Sequence, residues 1–323
     1  MRNDNSLATI LLASRLLDDA VNPFKAAELW DLRDQVAEPQ FLLGQTEEDL
    51  IQMGILRDAA ARIVELLDRA TAMAFELERL DGTGIRVLTP FDEEYPQTWL
   101  DRLNRKAPPV LYTAGVVDLL NQSCIGVVGS RDVSSKGKEV AQEVAERVAS
   151  LGMTLASGGA RGVDQLSMNA TFQAGGSVVG ILAESLAHKI KKSDVRQAIF
   201  EGQTVMCTPY NPNSPFSIGN AMGRNKLIYA LSELTLIVAC EPNKGGTWSG
   251  AVEALKGNFG RVAVWQGPGS GTGNDQLAEM GAIPVLSIDE LESAILEPEE
   301  SDAIIKPGTT IPKEQLLPFE SVA

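Results

Sequence analysis

The sequence contains very little of the chemistry that metal sites and nucleophilic active sites need. Its 323 residues include one histidine, His188, and three scattered cysteines, Cys124, Cys207 and Cys240. A histidine-based triad or a zinc site would have to rest on that single histidine, and the cysteines have neither metal-ligand spacing nor the spacing of a disulfide framework. We therefore expect no metal and no cofactor, and we expect the protein in a reducing cytoplasm.

Long apolar runs and a surplus of positive charge are missing as well. No apolar run approaches the roughly 20 residues of a membrane span, so we expect no membrane partner. A formal net charge of −15 argues against a nucleic-acid partner if the negative charge is spread evenly along the chain. The charge is not spread evenly. Residues 121–270 contain 14 Lys and Arg against 11 Asp and Glu, whereas residues 1–120 contain 12 against 21 and residues 271–323 contain 2 against 11. An anionic ligand is therefore expected at the central segment.

The patterns that are present divide the chain into four segments. Residues 1–80 have apolar positions at helical spacing, which predicts a small helical module. Residues 81–120 have short β-rich runs between Pro and Gly, which predicts an extension that packs on the core. Residues 121–296 alternate strand-like and helical runs, which predicts an α/β fold with a parallel sheet and helices on both faces. Residues 297–323 are acidic and contain Pro, so we expect a flexible tail.

Four short segments of the predicted α/β core combine glycine with hydroxyl or cationic side chains. They follow the strands CIGVVG, MTLA and LTLIVAC, or stand near the expected start of the helix NAMGRNKLIYALS. Ligands of open α/β sheets bind beyond the carboxyl ends of the strands, where N–H groups at helix starts can hold phosphate. One such turn could contain glycine only because a tight turn requires it. Four such turns at one edge of the sheet favour a phosphate site. The candidate residues are Ser130, Arg131, Ser157, Gly158, Gly159, Arg161, Gly162, Arg224, Asn225, Lys226, Gly245, Gly246 and Thr247.

The segment SGGARGVD, residues 157–164, is the richest of the four. Its glycines would let the backbone approach a phosphate, and Arg161 would add a charge-assisted contact. We expect a structural or supporting role for Asp164, which would either cap the helix that it starts or hold Arg161 by an ion pair. A role for Asp164 as a base or a metal ligand is less favoured.

Neither common nucleotide-binding fingerprint is present. The first turn, GVVGSRDVSS, is not GxGxxG, and the sequence contains no GxxxxGK[ST]. Dinucleotide and P-loop chemistry are therefore disfavoured.

The order of the motifs resembles the DNA-processing protein A family (DprA, also called Smf). The resemblance covers roughly residues 1–290 and is carried by GIRVLTPFDEEYP, GVVGSR, SGGARGVD, the AGG at 174–176 and GRNKLIYALSE. It implies an extended Rossmann-like fold behind a SAM-like helical module, and single-stranded DNA binding without catalysis in recombination or transformation. It also implies a homodimer, a RecA-type recombinase as a partner, and DNA-phosphate contacts at Ser130, Arg131, Ser157, Gly158, Gly159, Arg161, Arg224, Asn225 and Lys226.

The chain departs from this family pattern at several positions. Met168 stands where the family usually has histidine, and the family's arginine-asparagine-arginine is Arg224-Asn225-Lys226, which keeps the charge but loses one bidentate fork. The family's serine-glycine-serine turn is Gly245-Gly246-Thr247. Recombinase loading is therefore less directly supported than DNA binding.

The alternative function is a nucleotide-binding or nucleoside-monophosphate-hydrolysing enzyme or sensor, for instance in a defence system. GGTWSGAVE loosely resembles the GGxGTxxE signature of phosphoribohydrolases with a related fold, but Glu253 falls one residue late. One residue is about 100° of helical rotation, which would aim the carboxylate elsewhere. Trp248 or Phe216 would stack on bases or simply pack, and the lysines of HKIKK (Lys189, Lys191 and Lys192) would extend a basic path or form a solvated helix face.

Overall fold

In the part of the chain that the structure describes, five α-helices precede the first strand. The computed structural model describes residues 3–17 and 21–296, and the predicted tail at residues 297–323 lies outside the described residues. Thr46 starts the third helix with a capping box, because its Oγ1 accepts from the Asp49 N–H (3.2 Å) and the Asp49 carboxylate accepts from the Thr46 N–H (3.0 Å). The apolar sides of these helices enclose a core of their own that includes Leu42, Leu50 and Ile63. The helices are α1 Asp4–Ala13, α2 Ala26–Val36, α3 Glu47–Gln52, α4 Arg57–Asp68 and α5 Ala70–Asp81.

The rest of the described chain builds one nine-stranded sheet with the order β1-β2-β6-β5-β4-β3-β7-β8-β9. The strands from β3 to β9 pair in parallel, as the sequence predicted, while β1 and β2 form an antiparallel edge. The strands are β1 Arg86–Leu88, β2 Leu111–Gly115, β3 Cys124–Val128, β4 Thr154–Ser157, β5 Val178–Ile181, β6 Thr204–Thr208, β7 Leu234–Ile237, β8 Arg261–Trp265 and β9 Ile283–Val285.

Helices connect the strands and cover the sheet. They are α6 Gln97–Leu103, α7 Ser135–Ser150, α8 Val163–Gln173, α9 Leu186–Lys189, α10 Ser193–Phe200, α11 Ile218–Leu231, α12 Gly245–Gly257, α13 Asn274–Glu279 and α14 Ile288–Leu296. Three short 3₁₀ turns lie at Pro39–Leu42, Asn104–Lys106 and Val117–Asn121. Within the described ranges, no helix has both the length and the apolar character that crossing a membrane requires.

Alternation along the strands divides the buried side chains between the two faces of the sheet. In β3, Ile125 and Val127 join one core with α7 and α8, whereas Cys124 and Val128 join the opposite core with α11 and α12. Successive side chains of a strand point to opposite faces, so a strand that is apolar throughout needs cover on both sides. The prediction of helices on both faces is confirmed.

The chain winds outward from β3 in two directions, and this creates the crevice that positions the site. It passes from β3 through α7 to β4 on one side, and later from β7 through α12 to β8 on the other. Because α7 and α12 lie on opposite faces, the carboxyl ends of β3 and β7 are left open at a topological switch point, where α/β sheets bind ligands.

The N-terminal helices pack at the antiparallel edge of the sheet. The indole N–H of Trp30 donates to the Ala107 carbonyl (2.9 Å), and the hydroxyls of Ser14 and Tyr112 lie 2.9 Å apart in a buried contact. These bonds join α1 and α2 to the segment around β2, away from the switch point.

Candidate functional site

Three turns meet at the switch point because β4, β3 and β7 are neighbours in the sheet. The Ser130 N–H donates to the Ala239 carbonyl (2.8 Å), and the Val163 N–H donates to the Ser130 carbonyl (3.3 Å). Thr247 Oγ1 crosses from α12 to the Gly129 carbonyl (3.0 Å). We call the surface formed by residues 129–132, 158–162 and 244–247 the cradle. The structure thus brings three of the four predicted turns together.

Two glycines of the turn after β4 are required by close packing. A Cβ on Gly158 would lie 1.5 Å from Nη1 of Arg224, and a Cβ on Gly162 would lie 2.3 Å from the Ser130 carbonyl oxygen. Gly162 also has a φ of +91°, a conformation that L residues rarely adopt. These glycines therefore let the turn approach both a buried guanidinium and the neighbouring turn.

Arg161 extends from this turn into solvent. Its side chain is 72% exposed, and its Nη2 lies 2.7 Å from Oδ1 of Asp132, which is itself 85% exposed. Of the two supporting roles considered for Asp164, the ion pair with Arg161 is excluded, because Asp164 is buried at the start of α8 while Arg161 stays outside. An exposed ion pair of this kind contributes only about 0–1 kcal/mol, so the guanidinium can exchange Asp132 for an anionic ligand at little cost.

Asp164 lies beneath the turn and is only 5% exposed. Its Oδ2 accepts from the Gly158 N–H (3.2 Å). Burial raises the pKa of Asp164. Two effects oppose this rise in pKa: the charge of the Arg224 guanidinium, and hydrogen bonds from the backbone N–H groups of Ala160, Gly129 and Gly158. The carboxylate therefore links the ends of β3 and β4 from inside the protein.

Arg224 approaches the same turn from behind and is 4% exposed. The predicted helix start near Gly223 is wrong, because α11 begins at Ile218 with Ser217 as its N-cap, whose Oγ accepts from the Asn220 N–H (3.0 Å). Arg224 consequently stands in the middle of α11 and reaches the turn with its side chain. Its Nε and Nη1 have no hydrogen-bond partner among the described residues, and burial lowers its pKa while Asp164 opposes the shift. A buried, incompletely paired guanidinium therefore lies directly behind the turn, with the Asp164 carboxylate as its counter-charge.

The start of α12 supplies N–H groups to the cradle. No side chain caps this helix at Lys244, and no side chain caps α8 at Gly162. Asn225 holds the first turn of α12 in place through a 2.8 Å bond from its Nδ2 to the Gly246 carbonyl. By contrast, α7 is capped by Ser134, whose Oγ accepts from the Gly137 N–H (3.1 Å). At the start of α8, however, the Val163 and Gln165 N–H groups already donate to the Ser130 and Ala160 carbonyls. The uncapped N-terminus of α12 is therefore the helix end that offers N–H groups to the crevice, as helix N-termini do where they bind phosphate in α/β proteins.

The other predicted residues of the first two turns have more limited accessibility. Ser157 is fully buried, and its Oγ donates to the Val127 carbonyl (2.6 Å). Ser130 is half-buried, and its Oγ accepts from the Asp132 N–H (3.2 Å). Arg131 is exposed, with its guanidinium 5.2 Å from the ring centroid of Phe216, which is 47% exposed.

Several predicted residues lie away from the cradle. Lys226 is half-buried, and its electrostatic neighbours are Glu253 of α12 and Lys106, so it does not join the turn after β4. Lys189 is 8% exposed and pairs with Glu184 (3.2 Å), whereas Lys191 and Lys192 are exposed.

Two residues that organise the cradle have no signal in the sequence. Asp132 holds Arg161, although it comes from the turn after β3. Asn274, fully buried at the start of α13, accepts from the Cys240 N–H (3.0 Å) and donates to the Val238 carbonyl (3.0 Å), which fixes the chain beyond β7. An ordinary Asn in a glycine-rich loop carries no pattern that predicts this role.

Comparison with known families gives a match over most of the chain. The model of the family described as DNA recombination-mediator protein A matches residues 86–295, which include the whole sheet and every residue of the cradle.

Curated relatives share low but extended identity with the chain. DNA processing protein DprA of Bacillus subtilis is 24% identical over 291 residues, which cover 88% of this chain and 94% of that protein. Protein Smf of Escherichia coli is 28% identical over 209 residues, covering 63% of this chain and 55% of that one.

Solved structures share the fold. DNA processing protein A of Streptococcus pneumoniae superposes with a TM-score of 0.70 at 20% identity, covering 91% of this chain and 98% of that chain. The Helicobacter pylori protein, studied for its single-stranded DNA binding mode, gives a TM-score of 0.54 at 22% identity, covering 66% of this chain and 95% of that chain. At these identities the likeness establishes the fold.

Proposed function

Because the chain belongs to the DNA recombination-mediator protein A family, we propose that it binds single-stranded DNA and acts in DNA processing or recombination. The observation that carries this proposal is the meeting of the uncapped N-terminus of α12 with exposed Arg161 at the switch point. Partial positive charge from N–H groups and one full, accessible charge are the elements that hold phosphate. The Helicobacter pylori relative, which binds single-stranded DNA, supports the same ligand.

The acidic remainder of the chain favours a single strand over a duplex. The net charge is −15, and of the three segments only residues 121–270 have more Lys and Arg than Asp and Glu, so a rigid duplex laid across the protein would meet repulsive charge beyond the cradle. A flexible single strand can bend its phosphates into the crevice and keep the rest of its length away.

Fluorescence anisotropy with labelled single-stranded and duplex oligonucleotides of the same sequence, over a range of salt, tests the proposal. We expect tighter binding of the single strand, with log affinity falling against log salt by about 0.7 per phosphate contacted. Equal affinity for duplex and single strand would refute it.

We further propose that the cradle acts by binding alone and that the cytoplasmic protein is a homodimer with a RecA-type recombinase as partner. Among the described residues, no group of three or more His, Cys, Asp or Glu side chains is placed to hold a metal ion. Glu253, the residue on which the alternative of nucleotide hydrolysis depends, lies outside the cradle, 3.8 Å from the Lys106 ammonium. Analytical ultracentrifugation and a pull-down with purified recombinase test the assembly, and nucleotide hydrolysis by the pure protein would contradict the binding-only role.

A further inference from the structure

A second concave surface lies along α12, next to the cradle. This groove has a volume of about 510 Å³ and is lined by Lys106, Trp248, Ser249, Val252, Glu253, Lys256 and Gly257. We call it the α12 groove. Its size is within the range of small-molecule sites, about 300–1,000 Å³.

The α12 groove is joined to the cradle by a single helix. Trp248 directly follows Thr247, which bonds to the Gly129 carbonyl in the cradle. Trp248, Val252 and Lys256 then recur every four residues, so they form one stripe along α12 with steps of about 6 Å. A strand with a phosphate in the cradle can therefore continue along this stripe.

Trp248 provides an aromatic surface with a fixed orientation. It packs against the apolar core on one side and is partly exposed in the groove. The other three tryptophans are buried, with Trp30 8%, Trp99 0% and Trp265 4% exposed. A ring that is already held by the core loses little conformational freedom when a base stacks on it.

The charges around the groove are mainly positive. Lys106 and Lys256 line it, and Lys226 has Lys106 and Glu253 as electrostatic neighbours. Glu253 is the one carboxylate of the lining, and its 3.8 Å contact with Lys106 joins two side chains that are 42% and 55% exposed. Such a contact is weak. The Lys106 ammonium also lies 5.0 Å from the centroid of the Phe259 ring, but the Lys106 side chain is 55% exposed and Lys256 is exposed, so both can reach an anion. The aromatic face of Trp248 matches a base, and the lysines beside it match the phosphate of the same nucleotide.

We propose that the α12 groove binds one nucleotide, with its base stacked on Trp248 and its phosphate held by Lys106 and Lys256. This inference rests on the proposed function, because a strand bound in the cradle would bring a nucleotide to the groove. The groove itself would recognise a base and a phosphate of a strand or of a free nucleotide in the same way. The source is either the next nucleotide of a strand in the cradle or a free mononucleotide.

The test combines tryptophan fluorescence with strand binding in the full chain. The variants are Trp248→Leu, which keeps apolar packing, and the double variant Lys106→Gln/Lys256→Gln. A double variant of exposed cations outside the groove, Lys25→Gln/Arg196→Gln, is the matched control. The ligands are oligothymidylate and thymidine monophosphate.

We expect oligothymidylate to quench the fluorescence of the unmodified protein and to lose both the quenching and about tenfold in affinity in Trp248→Leu. The double lysine variant should also bind about tenfold more weakly, with a salt slope smaller by about 0.7, because one phosphate contact is lost. The control variant should match the unmodified protein. If thymidine monophosphate quenches the fluorescence, and still does so in Arg161→Ala, the groove binds a free nucleotide. If oligothymidylate quenches the fluorescence and thymidine monophosphate does not, the groove binds the next nucleotide of the strand.

Unchanged strand affinity and quenching in both groove variants would overturn the inference. The proposed function would then still stand if Arg161→Ala weakens strand binding. If no strand binds to the unmodified protein, the proposed function fails. Quenching by thymidine monophosphate then shows independently whether the groove binds a nucleotide.

Discussion

Arg224 and Arg161 lie on opposite sides of the same glycine turn. Arg224 is 4% exposed, contacts the backbone at Gly158 and lacks hydrogen-bond partners for Nε and Nη1 among the described residues. Arg161 has a 72% exposed side chain and pairs with Asp132. The buried side of the turn is therefore committed to the fold, whereas the exposed side is free to exchange partners.

This difference shows that a positive charge can serve a site in two ways. A buried guanidinium fixes the turn and contributes its field, but it cannot meet a ligand without disrupting the packing around it. An exposed guanidinium contributes little to stability and can form a forked contact with a phosphate. Substitutions on the two sides should consequently separate stability from binding.

The largest effect is expected for Asp164→Ala. The variant leaves the buried Arg224 without its counter-charge and the Gly158 N–H without its acceptor. The free energy of unfolding, measured in urea, should fall by about 3–5 kcal/mol. Asp132→Ala, on the exposed side, should change it by no more than about 0.5 kcal/mol. Similar losses in the two variants would mean that the buried side does not support the fold.

Arg161→Ala should weaken single-stranded DNA binding by about 1.5–3 kcal/mol, the range for a hydrogen bond to a charged group, and leave unfolding nearly unchanged. Arg161→Lys should recover part of the loss, because lysine keeps the charge without the fork. Arg57→Ala is a matched control, since Arg57 is 75% exposed and pairs with Glu47 at 3.1 Å outside the cradle. Equal losses at positions 57 and 161, measured by anisotropy, would contradict a specific role for Arg161.

Gly158→Ala should lower the free energy of unfolding by about 1–3 kcal/mol, the cost of overpacking a filled site. The added methyl would displace a guanidinium that burial prevents from moving away. DNA affinity should fall as well, because the turn carries Arg161. Gly219→Ala tests the same change in open surroundings, where the nearest atom to the new Cβ is 3.9 Å away, and it should be neutral or stabilising. A neutral Gly158→Ala would show that Arg224 is not confined.

The smallest expected effect is a pH dependence at Asp164. Burial raises the pKa of this carboxyl in the folded protein, so the folded state binds more protons than the unfolded state between the two pKa values. The stability that Asp164 contributes is therefore complete below the unfolded pKa and declines as the pH rises through the folded pKa. The unfolding free energy of the unmodified protein minus that of Asp164→Asn should decrease with pH in urea titrations. If this difference in unfolding free energy increased with pH instead, the pKa of Asp164 would be lowered in the folded protein and not raised.

The strands of the core were predictable because their signal is local. Runs such as CIGVVG and LTLIVAC are apolar throughout, and that pattern already requires cover on both faces. The glycine-rich turn of residues 157–164 was likewise predictable, since glycine before a helix indicates a close approach of the backbone.

One prediction failed, and one of two alternatives was excluded, because a residue nearby along the chain was taken for a boundary or a partner. Gly223 looked like a helix boundary, but a Cβ there would lie 2.7 Å from the Tyr210 hydroxyl, so glycine serves packing inside α11. Asp164 was one possible partner for Arg161, but the structure pairs Arg161 with Asp132, 29 positions away in the sequence. The antiparallel pairing of β1 and β2 with the core likewise depends on contacts between distant segments.

The sequence by itself determined the parallel strands of the core, their covered faces and the glycine turns at their ends, because hydrophobic period and backbone freedom act over a few residues. Only the tertiary structure decided which arginine is buried, which is exposed, and which carboxylate each one meets. Those outcomes depend on the order β4-β3-β7, which brings the ends of strands from distant parts of the chain side by side. Burial and electrostatic interactions act between such ends through space, and no local pattern of residues records them.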